Sequence, residues 1–181
     1  ADVPIINMEH HYLITDPIPA FVERDREIPV MRDSLTAGYF RQEQNSGLIG
    51  IYEHTGAVEA WAPKGVPEWA SESELFTEDL DRLMPWLGNA LERMPVLADA
   101  GIKQIFNGAI SHTPDGPPLL GPVAGLKNFW LCCGASFGIA QGAGCGKYLA
   151  QWMLYGDADI NMTGLDPRRF GVFADDPYLR A

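Results

Sequence analysis

The fold turns on residues 127–156, KNFWLCCGASFGIAQGAGCGKYLAQWMLYG. Phe129 to Cys133 form a short continuous apolar run, which predicts a buried strand covered on both faces. Gly134, Ala135, Ser136 and Gly138 then predict a turn without bulky side chains. From about Ile139 to Tyr155 the spacing is helical, and Gly156 is the expected C-terminal stop. Gly142, Gly144 and Gly146 each cost roughly 1 kcal/mol relative to Ala in a helix interior. Gly142, Gly146 and Ala150 fall on one face as a smooth stripe, over which a sheet or a ligand can approach closely. The helix N-terminus presents unpaired N–H groups and the positive end of the helix dipole. Two readings of the stretch stand side by side: a site for an anion or an electron-rich group, or tight helix–sheet packing with no ligand. A membrane span is disfavoured, because Gln141, Lys147 and Gln151 interrupt a glycine-rich run.

The chain has 181 residues, enough for one domain with a sizeable core. Hydrophobic residues make up 46% and charged residues 20%, as in soluble globular proteins. A net charge of −11 argues against a nucleic-acid partner, which requires a basic footprint. Cys132, Cys133 and Cys145 form neither a disulfide framework nor a zinc-ligand spacing, which favours a reducing compartment. ADVPIINMEHHYLIT carries neither the apolar run of a signal peptide nor the basic character of a transit peptide, and reads as a chain beginning in mid-domain.

Pro4 to Thr15 predicts a strand with His10, Tyr12 and Ile14 on one face and His11, Leu13 and Thr15 on the other. Adjacent histidines on a strand point apart, and no third ligand stands at a known spacing, so no metal site is expected. One histidine facing a cavity is expected, with a purely structural histidine as the alternative. Ile28 to Arg32 predict a short strand. Gly38–Gln42 and Leu48–Glu53 predict a hairpin across Gln44-Asn45-Ser46-Gly47, with Tyr39 and Arg41 on one face and Phe40 on the other. Aromatic residues in strands are usually core, so Tyr39 and Tyr52 taken alone read as core aromatics. Trp61 to Ser73 reads as loop.

Ser71 and Glu74 have capping-box spacing, and Glu78 and Asp79 place acid in the first turn that follows. Leu80, Leu83, Met84, Leu87, Leu91 and Met94 recur at helical intervals. Pro85 is expected to open a second helix. Ile102 to His112 predict a strand, and Thr113-Pro114-Asp115-Gly116 a turn. Residues 166–170, DPRRF, read as an exit segment. The element order suggests an α+β fold with a mostly antiparallel sheet.

HHYLIT, GYFRQE, LIGIYE, ELFTEDLDRLMPWL, NGAISHTPDGPPLLGP, GIAQGAGCGKYLAQWMLYG and DPRRFG together resemble the dimethylglycine and sarcosine dehydrogenase branch of the flavin amine oxidoreductases, in order and over almost the whole chain. The family's Gly-x-Gly-x-x-Gly βαβ unit, and the histidine that holds flavin covalently in some members, have no counterpart here. The resemblance therefore implies an internal piece of a longer enzyme. On that reading residues 1–104 form a substrate-binding sheet with its helices, and 105–160 the last strand and helix of the FAD domain. Residues 161–181 would exit toward a folate-binding domain.

The same resemblance implies FAD as cofactor, with tetrahydrofolate acting elsewhere in the polypeptide. It implies a small N-methyl amine as substrate and an electron-transfer flavoprotein as a partner, with no nucleic acid and no membrane. The implied location is a bacterial cytoplasm or the mitochondrial matrix. By resemblance, His10 and Tyr39 are the catalytic pair and Tyr52 lines the substrate pocket. Gly134, Ser136, Gly138 and Ile139 match the turn facing the flavin pyrimidine edge, and Pro114 and Asp115 a turn beside the isoalloxazine. His11 stands where relatives often have Gln, and Ala135 where an aromatic is common. The implied chemistry is hydride transfer from an N-methyl group to flavin. A catalytically silent interaction protein, like the regulatory subunit of pyruvate dehydrogenase phosphatase, is the alternative of another class; a histidine-based metal hydrolase is discounted by the strand geometry.

Overall fold

The structure is a computed structural model and describes residues 3–62, 66–72 and 74–179. The chain divides into two units: residues 8–109, and residues 1–7 together with 110–181. Along the chain run β1 (Ile6–Pro17), α1 (Pro19–Val22), β2 (Met31–Asp33), β3 (Gly38–Glu43), β4 (Ser46–Ile51) and α2 (Leu80–Arg93). They are followed by β5 (Ile102–His112), β6 (Leu119–Pro122), β7 (Trp130–Cys133), α3 (Gly138–Tyr155) and α4 (Asp176–Leu179).

The unit of residues 8–109 is built on a five-stranded sheet in the order β2-β3-β4-β1-β5. β1 with β4, β2 with β3 and β3 with β4 pair antiparallel. Alternation decides its two faces. Leu13, Phe40, Ile49 and Ile51 point to the back, where they form one core with Leu83, Leu87 and Ala90 of α2. His10, Tyr12 and Tyr39 point to the front and stay half-buried. The predicted hairpin forms with a tighter turn than read: only Gln44 and Asn45 make it, Ser46 and Gly47 already pair in β4, β4 ends at Ile51, and Gln44 sits in the left-handed region (φ 54°).

Three expectations for this unit change. Asp79 caps α2, its Oδ1 accepting from the Arg82 N–H at 3.0 Å, so the Ser71–Glu74 spacing lies upstream of the helix instead of capping it. Pro85 lies inside α2 and does not open a second helix. Its ring is exposed, and Leu83 and Leu87 on the buried face anchor the helix on either side of it. The strand expected at Ile28 is only Met31–Asp33. The Ile28 N–H donates to the buried Gln42 side chain (3.2 Å), which takes it out of sheet pairing.

In the other unit β6 and β7 form an antiparallel two-stranded sheet. α3 packs Cys145 and Leu149 into a core with Leu120 and Met162, while Trp130 and Trp152 meet edge to face. α3 ends as predicted on Gly156, at φ 79°. β7 departs from expectation. Cys132 is exposed and its neighbours are half-covered, because the core beside β7 is small and reaches the strand mainly through Trp130. The small-residue stripe is also uncovered within the described residues: a methyl at Gly142 or Gly146 would meet nothing within 4 Å, and Ala150 is exposed. The resulting arrangement is α+β. Among the described residues no helix is long and apolar enough to cross a membrane.

Candidate functional site

Strand register assembles an aromatic cluster on the front of the larger sheet. Arg32 pairs with Tyr39, Tyr39 with Gly50, and Gly50 with Tyr12, in one row across β2, β3, β4 and β1. His10, two residues from Tyr12, shares that face. The His10 Nε2 lies 3.1 Å from the Tyr39 hydroxyl. Tyr52, just beyond β4, stacks on the His10 ring at 4.6 Å and 23°. Tyr39 and Tyr52 stand 5.5 Å apart, and the Arg32 guanidinium lies 5.2 Å from the Tyr52 ring centre. Tyr12 stacks on Phe106 at 4.7 Å. The pairing puts Tyr39, and not Phe40, beside His10; Phe40 is in the core.

Gly50 is what lets the cluster close. A Cβ there would fall 1.9 Å from Tyr39 Cζ, so the tyrosine ring lies across a strand that has no side chain at that point. Burial pushes the Tyr39 phenol up to about 12, with Tyr52 and Tyr12 adding to the shift and Arg41 opposing it. Burial also pushes Tyr52 up, against the nearby Arg32. Both rings therefore stay protonated through the neutral range.

Behind the cluster is a polar network that the sequence reading did not identify. His11 is fully buried, and its Nδ1 faces the Arg82 guanidinium at 3.0 Å. Its Nε2 accepts from the Asp79 N–H at 3.2 Å. Burial, and then Arg82, lower its pKa, so His11 is a neutral structural histidine. Arg82 also donates to Glu53 (2.6 Å) and Glu9 (3.1 Å). Asn107 donates to Glu9 and to the Thr77 carbonyl, both at 2.9 Å. Burial pushes the Glu53 carboxyl up, and Arg82 opposes it. The available signal was alternation: Glu9, His11 and Glu53 stand at positions whose side chains must go to the back of the sheet. A glycine inside the strand pattern LIGIYE likewise signals a close approach.

The remaining predicted residues lie in the unit of residues 1–7 and 110–181. The 113–116 turn forms as predicted, with the Gly116 N–H donating to the Thr113 carbonyl at 3.3 Å. Pro114 is exposed on it. The Asp115 carboxylate is committed to Arg169, which donates to its two oxygens at 2.7 and 2.9 Å. Those bonds hold the carboxyl below its usual range. Gly134 has φ 71°, and a Cβ there would lie 2.7 Å from the buried Thr113 side chain, so this position requires glycine on two counts. The Ser136 hydroxyl donates to the Ser111 carbonyl at 2.8 Å and lies 3.4 Å from His112 Nδ1. Gly138 opens α3 after Phe137, which supplies no side-chain cap, and Ile139 is fully exposed.

Residues 1–152 match the model of the FAD dependent oxidoreductases. The chain is 38% identical over 183 residues to mitochondrial dimethylglycine dehydrogenase of Rattus norvegicus, covering 99% of this chain and 21% of the relative. It is 33% identical over 174 residues to mitochondrial sarcosine dehydrogenase of Homo sapiens, covering 93% of this chain and 17% of the relative. The chain thus spans about a fifth of the length of the curated relatives it matches. The fold is also that of L-proline dehydrogenase from P. horikoshii, with a TM-score of 0.72 at 22% identity over 94% of this chain and 41% of that one. With most of its length matched by the family model, and with these relatives, the chain belongs to the FAD dependent oxidoreductases.

Proposed function

We propose that the chain is part of an enzyme that oxidatively demethylates a small N-methyl amino acid such as dimethylglycine or sarcosine, with FAD as the oxidant. The observation that carries this reading is the His10–Tyr39 contact of 3.1 Å, with Tyr52 stacked on the imidazole. The similarity to dimethylglycine and sarcosine dehydrogenases supports the substrate class.

The residues at the start of α3 fit a flavin. With no side-chain cap at Phe137, an open Gly138 and an exposed Ile139, the first-turn N–H groups are not satisfied by the helix itself. That end carries the positive pole of the helix and suits an electron-rich heterocycle edge. Gly138 and Ile139 would hold that edge through their backbone, and Gly134 sets the turn that leads to them. Ser136 and Asp115 would act through the turn backbone, since their side chains are engaged with Ser111 and Arg169. Pro114 would contribute an exposed surface of its turn. FAD held there would supply the oxidising power for removal of a hydride equivalent from the N-methyl carbon.

The chain's own side chains handle the proton. An ammonium nitrogen has no lone pair to assist hydride departure, so the amine must lose its proton first. The Tyr39 oxygen accepts a hydrogen bond from the amine N–H, and the Tyr39 O–H donates to His10 Nε2. A proton arriving at the Tyr39 oxygen is passed on to His10, and the phenol stays neutral throughout. With its phenol pushed up to about 12, Tyr39 orients and relays, and does not carry a phenolate charge. Imidazole is the side chain suited to exchanging that proton near neutrality. Tyr52 holds the imidazole plane. Electron-transfer flavoprotein as electron acceptor, tetrahydrofolate as one-carbon acceptor, and a bacterial cytoplasmic or mitochondrial-matrix location belong to the same reading.

The test is anaerobic reduction of the flavin-loaded protein that carries this chain by dimethylglycine and by sarcosine. His10→Ala should slow reduction at least about tenfold. An unchanged rate from about pH 6 to about pH 9, where imidazole protonation changes, would refute the assigned role. Purified protein with neither flavin nor amine turnover would refute the enzymatic reading itself.

A further inference from the structure

We propose that Arg82 is a positioning residue for the His10–Tyr39–Tyr52 cluster, acting from the opposite face of the sheet. The inference rests on the functional reading above. On a strand the immediate neighbours of a front-facing side chain must face back. The chain neighbours of His10 are Glu9 and His11, and the residue after Tyr52 is Glu53. Arg82 donates to Glu9 Oε2 at 3.1 Å and to Glu53 Oε1 at 2.6 Å, and its guanidinium packs 3.0 Å from His11 Nδ1. One guanidinium therefore ties together the two backbone segments whose relative placement stacks Tyr52 on His10.

The clamp is buried and is itself anchored. The side chains of Arg82 and Glu53 are 12% and 2% exposed, so their ion pair is little screened by water. The Arg82 backbone N–H is held by the Asp79 cap, which fixes where the guanidinium starts. Glu9 is held a second time by Asn107 of β5, a residue that is 1% exposed. Two carboxylates in different directions, beside a buried imidazole, suit the planar, five-donor fork of arginine. A lysine ammonium is a compact point charge that lacks this planar fork. Losing one contact frees either β1 at Glu9 and His11 or the chain after β4 at Glu53, and the ring stack on the front loosens.

The experiment uses the flavin-loaded protein that carries this chain. Arg82→Lys and Arg82→Met are made alone and combined with His10→Ala, and anaerobic flavin reduction is followed across amine concentrations with thermal unfolding alongside. Arg82→Lys is expected to slow reduction at saturating amine at least about tenfold, since small misplacements in an assembled site cost rate steeply. Apparent amine affinity should change much less. In the His10→Ala background the same substitution should add little, because its effect runs through His10. The His10 ring resonances should also move in Arg82→Lys while the protein remains folded. Equal slowing in the wild-type and His10→Ala backgrounds would overturn the proposal and make Arg82 a general stabiliser. So would an unchanged rate in Arg82→Lys. If His10→Ala alone leaves reduction unchanged, the functional reading fails and the proposal falls with it. Should the Arg82 variants not fold, Glu53→Gln carries the same comparison, with the same two outcomes deciding it.

Discussion

Replacing Gly50 with alanine should separate the geometry of the cluster from the stability of the fold. A Cβ at residue 50 would stand 1.9 Å from Tyr39 Cζ, where ordinary contact begins at 3.4 Å, so the ring must retreat by about 1.5 Å. From its present 3.1 Å the Tyr39 hydroxyl then leaves hydrogen-bonding range of His10. The energetic terms nearly offset one another. Alanine in a strand interior gains about 0.5–1 kcal/mol over glycine. The lost hydrogen bond costs a net of about 0.5–1.5 kcal/mol. Because Tyr39 is only half-buried on the front face, its ring can swing outward without repacking the core of Phe40 and Ile49. A Tm shift of a few degrees is therefore expected. The rate is another matter, because a displacement of this size in a reacting geometry costs on the order of 100-fold. The assay is stopped-flow anaerobic reduction of flavin-loaded protein at saturating dimethylglycine, with Tyr39→Ala as the background control. Once the ring is gone, Gly50→Ala should have no further effect. Wild-type reduction by Gly50→Ala in the intact background would refute the argument that Gly50 makes room for a working Tyr39.

Tyr39 itself should titrate late. Its folded pKa of about 12 lies above the ordinary 10, so the stability it contributes is complete below pH 10 and is lost as pH rises toward 12. A near-ultraviolet phenolate titration should show one late tyrosine that disappears in Tyr39→Phe. Gly134→Ala should destabilise the protein by about 1–3 kcal/mol, because φ 71° disfavours any side chain and the new methyl meets Thr113. Loss of flavin during gel filtration should accompany it; wild-type Tm and flavin content would refute both. Asp115→Asn should cost less than about 1 kcal/mol, since the pair with Arg169 is partly exposed and screened. Its folded pKa is depressed, so that stabilisation is present above the ordinary carboxylate pKa and fades as pH falls through the folded value. The difference in Tm between Asp115→Asn and wild type should shrink in acid and in high salt.

Much of the chain was legible because local physics decided it. Period-2 alternation placed His10 and His11 on opposite faces, and a turn-rich tetrad set the β3–β4 hairpin. Apolar recurrence at Leu83 and Leu87 gave the buried face of α2, and Gly156 ended α3 in the left-handed conformation that glycine enters without a side-chain clash. Those features depend on neighbours within a few residues. What stayed hidden depends on residues far apart in sequence. A glycine inside a strand pattern signals that something approaches closely but not what, and Arg82 has no local signature for its role. Gly50 matters only because β3 lies beside β4 in the register that brings Tyr39 over it. Arg82 matters only because α2 packs behind β1 and the end of β4, 73 and 29 residues away in sequence. The exposed Cys132 and the uncovered glycine stripe make the same point in reverse. An apolar run and a smooth face state what a segment can pack against; only the tertiary arrangement decides whether these residues supply the partner.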